Sequence, residues 1–316
     1  MDPCRRADQN QRVSAIPRRQ ALATMFGACG LLRDPFCARA AGEPIRLAVS
    51  ETLVSDVNLN DARAAMQIWL KQMARDLDIA IDFNPKVFDT TEEIIRRARN
   101  NQFDAVALNV AEYRQIADVL DPSQVIAEID GAEQYLLLAK RNGPVQRLSD
   151  LKGRRMLMLK GPKMCVASAW FSGLLKEGHL GESDPFFGSV TTDIKPSRVV
   201  LPVFFGQADA CVTSKRGFDI MGELNPQVAK DLVAIAGSPA MIVTFYIFHK
   251  NYHGVSRERF AKVYAEMPAS VAGRQLATLF QFQGMVVKDA NCLTPALAIL
   301  DAADRTHREH TAGGSK

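Results

Sequence analysis

The stretch that decides the fold is RRMLMLKGPKMCVASAWFSGLLK, residues 154–176. Its apolar run Arg155–Leu159 predicts a strand, and the Gly-Pro-Lys turn after it leads directly into an amphipathic helix. In an α/β protein such a junction points backbone N–H groups past the strand end, and the helix dipole favours an anion there. The sequence therefore predicts an α/β fold with a ligand site above this loop.

Strand and helix patterns alternate in two series along the chain. The first runs from strand 45–49 to helix 111–117, and the second runs from strand 155–159 to helix 215–224. A long apolar run, 241–249, then returns before a helical end. Such alternation is typical of α/β sheets covered by helices. The order predicts two lobes, joined by two crossovers, that close on a cleft between them.

The first forty residues differ from the rest of the chain. Arg18 and Arg19 precede the apolar run 21–32, and small residues follow at 37–41. A basic region, a short apolar region and small residues at a cleavage site predict an export signal over residues 1–40. The paired arginines leave both the twin-arginine route and the general secretory route open.

The apolar run of the leader does not suit a membrane span. It has twelve residues, whereas a spanning helix needs roughly 20. Cys29 offers a lipid attachment point, but the residue three positions before it is not the usual leucine, so a lipoprotein is the less favoured alternative. The predicted location is the periplasm.

The net charge of +4 belongs to the leader. The chain has 39 Lys and Arg against 35 Asp and Glu, and seven of the arginines and three of the aspartates fall within residues 1–40. The remainder is therefore neutral. This balance argues against a nucleic-acid partner.

The sequence gives little support to catalysis. Cys165, Cys211 and Cys292 follow the leader without zinc-type or redox-type spacing, and buried free thiols are favoured over a disulfide. None of the five histidines pairs with Cys or Asp at a triad or metal spacing. We expect no catalytic residues, no metal and no cofactor. A thiol-dependent enzyme that uses Cys165 is the third-ranked alternative.

Basic and hydroxyl residues recur where the strands of the second series end. The carboxyl ends of strands are where open α/β sheets bind ligands, and such groups hold carboxylate, sulfonate or phosphoryl oxygens. Lys160, Lys215 and Arg216 belong to the same pattern. The predicted contacts with a small anion are Gly161, Lys163, Met164, Cys165, Ser197, Arg198, Thr213 and Ser214.

Polar residues also end two strands of the first series. Ser50, Glu51 and Thr52 follow strand 45–49, and Asn109 ends the third strand. These four residues are predicted to face the same cleft edge and to contact the ligand. Ordinary helix capping and turn formation is the alternative for all of them.

Three motifs carry a resemblance to a known family. Leu-Lys-Gly-Arg-Arg-Met at 151–156 is followed by Phe186-Phe187 and by Gly-Gln-Ala-Asp-Ala at 206–210. Their order and spacing resemble the phosphate/phosphite/phosphonate-binding family of ABC-transporter substrate-binding proteins, over residues 44–290. The family's Ser-Thr-Ser-Gly loop is replaced here by Gly-Pro-Lys-Met-Cys at 161–165, so the hydroxyl cradle is gone and the ligand stays open.

The resemblance implies a type II periplasmic-binding-protein fold. Two mixed sheets flanked by helices would be joined by two crossover strands that form a hinge. Residues 41–138 and 244–308 would build the first lobe, 139–243 the second, and 309–316 a flexible tail.

The implied function is that of an exported, monomeric solute-binding protein of an ABC-type uptake system. It would capture a phosphonate, phosphite, phosphate-like or other oxyanion and present it to the permease. The alternative is a periplasmic sensor that signals to a membrane receptor such as a histidine kinase. Both roles need only a difference between the open and closed lobes.

Overall fold

The computed structural model describes residues 44–82, 88–181, 186–254 and 257–313, with side chains as far as Arg305. The predicted export signal at 1–40 lies outside the described residues. The last helix continues to Gly313, so the segment that was expected to be a tail, 309–316, is helical over most of its length.

The first sheet has six strands, in the order β13-β4-β12-β3-β1-β2. β1 pairs in parallel with β2 and β3, whereas β12 lies antiparallel between β3 and β4. Because β12 and β13 come from the last third of the chain, this lobe is built from two separate segments. The strands are β1 Ile45–Val49, β2 Ile81–Asp82, β3 Ala105–Asn109, β4 Leu120–Glu128, β12 Thr244–His249 and β13 Met285–Lys288.

The second sheet has five strands, in the order β10-β6-β9-β7-β8. β7 is parallel to both of its neighbours, so the carboxyl ends of β7, β8 and β9 meet at one edge. The chain enters this sheet at Tyr135, and the lobe boundary expected after residue 138 falls inside β6, whose apolar run pairs continuously with β9. The strands are β6 Tyr135–Lys140, β7 Arg155–Leu159, β8 Ser189–Asp193, β9 Ala210–Ser214 and β10 Leu232–Gly237.

Two short strands lie at the passages between the sheets. β5, Ala132–Glu133, follows β4, and β11, Met241–Ile242, precedes β12. They pair antiparallel with each other, with Met241 opposite Glu133. Two mixed sheets with two paired crossovers confirm the two-lobed fold expected from the sequence.

Ten α-helices are described, and the expected elements differ from them mainly at their ends. Asn58 caps the first helix: its Oδ1 accepts hydrogen bonds from the backbone N–H groups of Asn60 and Asp61 at 2.9 and 3.2 Å. The helices are Leu59–Leu77, Thr91–Arg99, Val110–Ile116, Ala167–Glu177, Pro196–Phe204, Lys215–Leu224, Pro226–Asp231, Arg257–Ala265, Val271–Leu279 and Thr294–Gly313.

The loop after β7 forms a short 3-10 turn, Pro162–Met164, before the helix Ala167–Glu177 begins. The sequence had suggested that the helix follows the Gly-Pro-Lys turn directly. Gly161 precedes the turn with a φ of 150°, and Pro162 fixes the next φ, so the chain bends before it can become α-helical. This bend carries Lys163 and Met164 toward the first lobe.

Separate apolar clusters fill the layers around the sheets. In one, Trp69 and Met73 pack with Phe260 and Tyr264 against the first sheet, and all four are almost fully buried. No helix among the residues that the structure describes is long and apolar enough to cross a membrane.

Candidate functional site

A cavity of about 410 Å³ lies at the strand ends of both sheets. Val49 of β1 and Ala107 of β3 reach it from the first lobe, and Leu159 of β7 and Ser214 of β9 reach it from the second lobe. Thr244, at the start of β12 just after the second crossover, completes the wall. The cavity therefore occupies the cleft that the two-lobed order predicted.

The first-lobe end of the cavity is apolar. It continues beneath the C-terminal helices, where Tyr246 and Tyr264 pack with their ring centroids 4.7 Å apart. Sequence inspection missed this wall because most of its residues lie more than a hundred positions from the loop after β7. We call it the apolar chamber, defined by Val54, Met66, Leu276, Leu279, Phe280 and Phe282.

The second-lobe end carries three cations, which we call the cationic rim: Lys160, Lys195 and Arg216. Each follows the carboxyl end of one of the adjacent parallel strands β7, β8 and β9. All three side chains are exposed, and none has a carboxylate partner among the described residues. The rim is therefore a patch of positive charge at the mouth of the cavity that forms no ion pair of its own, although Arg216 lies near enough to Glu133 to lower the pKa of that carboxyl group.

Lys163 lines the same cavity, but its charge is already matched. Its Nζ lies 2.7 Å from Glu128 Oε2 and 3.8 Å from Glu133 Oε1. Glu128 ends β4 of the first sheet, so this interlobe ion pair joins the two lobes. The Tyr135 hydroxyl holds the loop by donating to the Lys163 carbonyl at 2.8 Å.

Two carboxyl groups of the cavity have raised pKa values. Burial raises the pKa of Glu133, and the Lys163 ammonium opposes that rise. Partial burial also raises the pKa of Asp56, and its own backbone N–H and Lys163 act in the opposite direction. A ligand anion would meet repulsion beside either group.

Three of the four predicted first-lobe contacts, Ser50, Thr52 and Asn109, hydrogen-bond to a buried carboxylate that had not been predicted to matter. Glu112 accepts hydrogen bonds from the Ser50 hydroxyl at 2.6 Å and the Asn109 backbone N–H at 3.0 Å. The Thr52 and Thr91 hydroxyls donate to it at 3.3 and 2.7 Å.

Part of this buried network could have been predicted from the sequence. Asn109 and Glu112 form a reciprocal capping box at the start of Val110–Ile116, and the Asn-x-x-Glu spacing is the signal that would have found it. Glu51 is exposed, with its backbone N–H donating to the Asp89 carbonyl at 2.9 Å. Ser50, Glu51, Thr52 and Asn109 lie beside the cavity without lining it.

The predicted second-lobe contacts divide into two groups. Gly161, Lys163, Met164 and Ser214 line the cavity, whereas Cys165, Ser197, Arg198 and Thr213 do not. Arg198 points to solvent, with Asp193 Oδ2 at 3.5 Å. The Thr213 hydroxyl is buried without a partner in the described part of the chain. Ser214 caps its helix by accepting from the Gly217 N–H at 3.1 Å.

Cys165 lies between the lobes, with its Sγ 3.9 Å from the Val243 carbonyl oxygen. Burial, with the nearby Glu112 carboxylate, raises the pKa of Cys165 to about 12. The thiol is therefore protonated at neutral pH and is a poor nucleophile. Cys211 and Cys292 are also free thiols, and no cluster of potential metal ligands occurs among the described residues.

We expect iodoacetamide at pH 8 to leave Cys165 unmodified in the native protein, because only the thiolate reacts and burial keeps it scarce. Mass spectrometry of the peptide that contains Cys165 checks this result. The same peptide should be fully alkylated after unfolding in guanidinium chloride, which serves as the control. Rapid alkylation of the native protein would instead revive the thiol-dependent enzyme.

The sequence matches the family of ABC-transporter, phosphonate, periplasmic substrate-binding proteins over residues 52–291. The chain belongs to this family. It is accordingly the substrate-binding component of an ABC-type uptake system. Members of this periplasmic family bind a small-molecule ligand and act together with a permease. The sensor alternative is not favoured.

Solved structures of low sequence identity share the fold. A binding-protein component of an ABC phosphonate transporter from Pseudomonas aeruginosa is 14% identical, with a TM-score of 0.53 over 84% of this chain and 88% of that one. PhnD1 from Prochlorococcus marinus, in complex with methylphosphonate, is 12% identical, with a TM-score of 0.54 over 83% and 98%. A Xanthomonas citri protein bound to chloride ion is 15% identical, with a TM-score of 0.56 over 84% and 99%. No curated protein matches the sequence.

Proposed function

We propose that this protein binds an oxyanion of the phosphonate class in the interlobe cavity, as a monomer, and delivers it to the permease without chemical change. The observation that carries the proposal is the cationic rim of Lys160, Lys195 and Arg216. These three cations, none of them in an ion pair with a described carboxylate, converge at the strand ends where open α/β sheets bind ligands. The family's phosphonate description supports the same ligand class.

Lys163 joins the two lobes through its ion pair and is not assigned to the ligand anion. Glu128 and Glu133 already neutralise it, so an anion placed on Lys163 would also face two carboxylates. We therefore assign the anion to the rim, with Gly161, Met164 and Ser214 forming the floor beside it. Ser50, Glu51, Thr52, Asn109, Cys165, Ser197, Arg198 and Thr213 do not line the cavity, so we leave them out of the proposed contacts.

The proposal includes the periplasmic location and the use of residues 1–40 as a removable export signal. A soluble carrier needs no catalytic group, and a protonated Cys165 agrees with such a role. Binding would stabilise the closed lobes, and the stabilisation would grow with ligand excess by mass action.

A thermal-shift screen tests the proposal with phosphate, phosphite, methylphosphonate, propylphosphonate, methanesulfonate and acetate. At least one oxyanion is expected to raise the melting temperature. Arg216→Gln and Lys160→Gln should each weaken the best ligand about tenfold, because a hydrogen bond to a charged group contributes about 1.5 kcal/mol.

Lys152→Gln is the matched control for Lys160→Gln. Lys152 is an exposed lysine that precedes β7, so it lies at the opposite end of the same strand from Lys160. Its replacement should leave the affinity unchanged. No stabilisation by any oxyanion, or equal losses in all three variants, would contradict the proposal.

A further inference from the structure

The cavity is larger and more apolar than a small oxyanion requires. Its volume of about 410 Å³ falls in the range of about 300–1,000 Å³ that encloses ligands of many atoms. The cationic rim occupies only the second-lobe end, and the apolar chamber continues the same space into the first lobe. A bare phosphate at the rim would leave this largely apolar chamber unfilled.

The charges within the cavity fix which way a ligand lies. Glu128 and Glu133 stand inside the cleft with Lys163 between them, and Asp56 faces the Gly161 turn from the first lobe. An anionic group that moved past the rim would approach these carboxylates and lose the rim cations. The charged group of the ligand is therefore confined to the second-lobe end.

The residues of the loop after β7 support the same orientation of the ligand. Pro162 and Met164, both apolar residues, line the cavity at the position where a hydroxyl-rich loop would grip a small anion. Across the cavity, Phe280 and Phe282 follow the helix Val271–Leu279 and are half-buried. Apolar surfaces therefore line both sides of the space inward from the rim.

We propose that the ligand is an amphipathic oxyanion: a phosphonate with an apolar substituent of several carbons, its charged group at Lys160, Lys195 and Arg216 and its substituent in the apolar chamber. This assignment rests on the proposed function and narrows its ligand class. Burial of each methylene of the substituent is worth about a three- to fourfold gain in affinity.

Calorimetric titration with methyl-, propyl-, hexyl- and phenylphosphonate tests the assignment, beside inorganic phosphate. Affinity should rise by about three- to fourfold per added methylene. Propylphosphonate should also bind more tightly than 2-aminoethylphosphonate, which has nearly the same length but ends in an ammonium group. Hexanol, which lacks the anionic group, should not bind measurably.

Two phenylalanine variants make the test specific to the chamber. Phe280→Ala should weaken hexylphosphonate about tenfold and methylphosphonate less than about twofold, since only the longer substituent reaches the ring. Phe205→Ala is the control, because Phe205 is 64% exposed and lies outside the cavity. It should change neither affinity.

The outcomes separate the two proposals. The amphipathic ligand would be overturned, and oxyanion binding left intact, by any of three results. These are an affinity that does not rise along the alkylphosphonate series, tighter binding of 2-aminoethylphosphonate than of propylphosphonate, or equal losses of affinity for both ligands in Phe280→Ala. If neither any of the phosphonates nor phosphate bound, the proposed function itself would be overturned. Tight binding of hexanol would overturn the role of the cationic rim.

Discussion

Replacing Lys163 with methionine is expected to lower the free energy of unfolding by about 3 kcal/mol at pH 7.5, because it leaves two largely buried carboxylates without their cation. The side chains of Glu128 and Glu133 are 13% and 7% exposed, and that of Lys163 is 27% exposed. Neither carboxylate can regain full hydration while the lobes stay in contact. Urea denaturation followed by circular dichroism measures the loss.

The loss should depend on pH in a defined direction. Glu133 already has a pKa above its ordinary value of 4.5 through burial, and removal of the Lys163 charge raises it further. A folded-state pKa above the unfolded one means that the folded protein binds the proton more tightly, so the deficit is greatest above the folded pKa. The variant should therefore recover stability as the pH falls toward 4.5.

Two further variants separate this effect from ordinary lysine replacement. Lys215→Met breaks an ion pair of similar length, 2.6 Å to Asp219, whose side chains are half-exposed, and should cost less than about 1 kcal/mol. Adding Glu133→Gln to Lys163→Met should remove most of the pH dependence. Equal costs for Lys163→Met and Lys215→Met would show that the interlobe ion pair contributes no more than a surface pair.

Replacing Glu112 with leucine is expected to lower the free energy of unfolding by about 3 kcal/mol, since it removes the acceptor from several buried donors at once. The carboxylate accepts hydrogen bonds from the hydroxyls of Ser50 and Thr91 at 2.6 and 2.7 Å and from the Asn109 backbone N–H at 3.0 Å. Glu112→Gln should cost about half as much, because one oxygen acceptor survives while the new amide faces other donors.

Glu92 provides the matched control for Glu112. It is exposed at the start of the helix Thr91–Arg99, and Glu92→Gln should change the unfolding free energy by less than about 0.5 kcal/mol. Comparing the unfolding free energies of Glu112→Gln and Glu92→Gln by urea denaturation isolates the effect of burial. If Glu112→Leu were as stable as the unchanged protein, Ser50, Thr52 and Asn109 would be free to serve the ligand instead.

Local sequence patterns predicted the elements that the chain forms with its near neighbours. The strand, turn and helix around Gly161 could be predicted because the apolar run and the Gly-Pro pair act within a few residues of each other. The alternation of such units was enough to predict two lobes and the cleft between them, whereas the two mixed sheets were implied by the family resemblance. The lobe boundary was less accurate, since β6 continues across the position where the composition suggested a break.

The walls of the site were much harder to predict, because they join residues that are far apart in sequence. Lys163 is a plausible anion ligand until Glu128, thirty-five positions earlier, is placed at 2.7 Å from it. Phe280 joins the cavity only because the chain returns to the first sheet through β12. Arg198 illustrates the opposite case, because it is 67% exposed and its ion-pair partner Asp193 lies only five positions away in the sequence.

A crystal structure of the protein with propylphosphonate tests the central claim most directly. The phosphonate oxygens are expected within hydrogen-bond distance of the cationic rim of Lys160, Lys195 and Arg216, with the propyl chain directed toward Phe280 and Phe282. A ligand bound outside the interlobe cavity, or one with its phosphonate group in the apolar chamber, would contradict it.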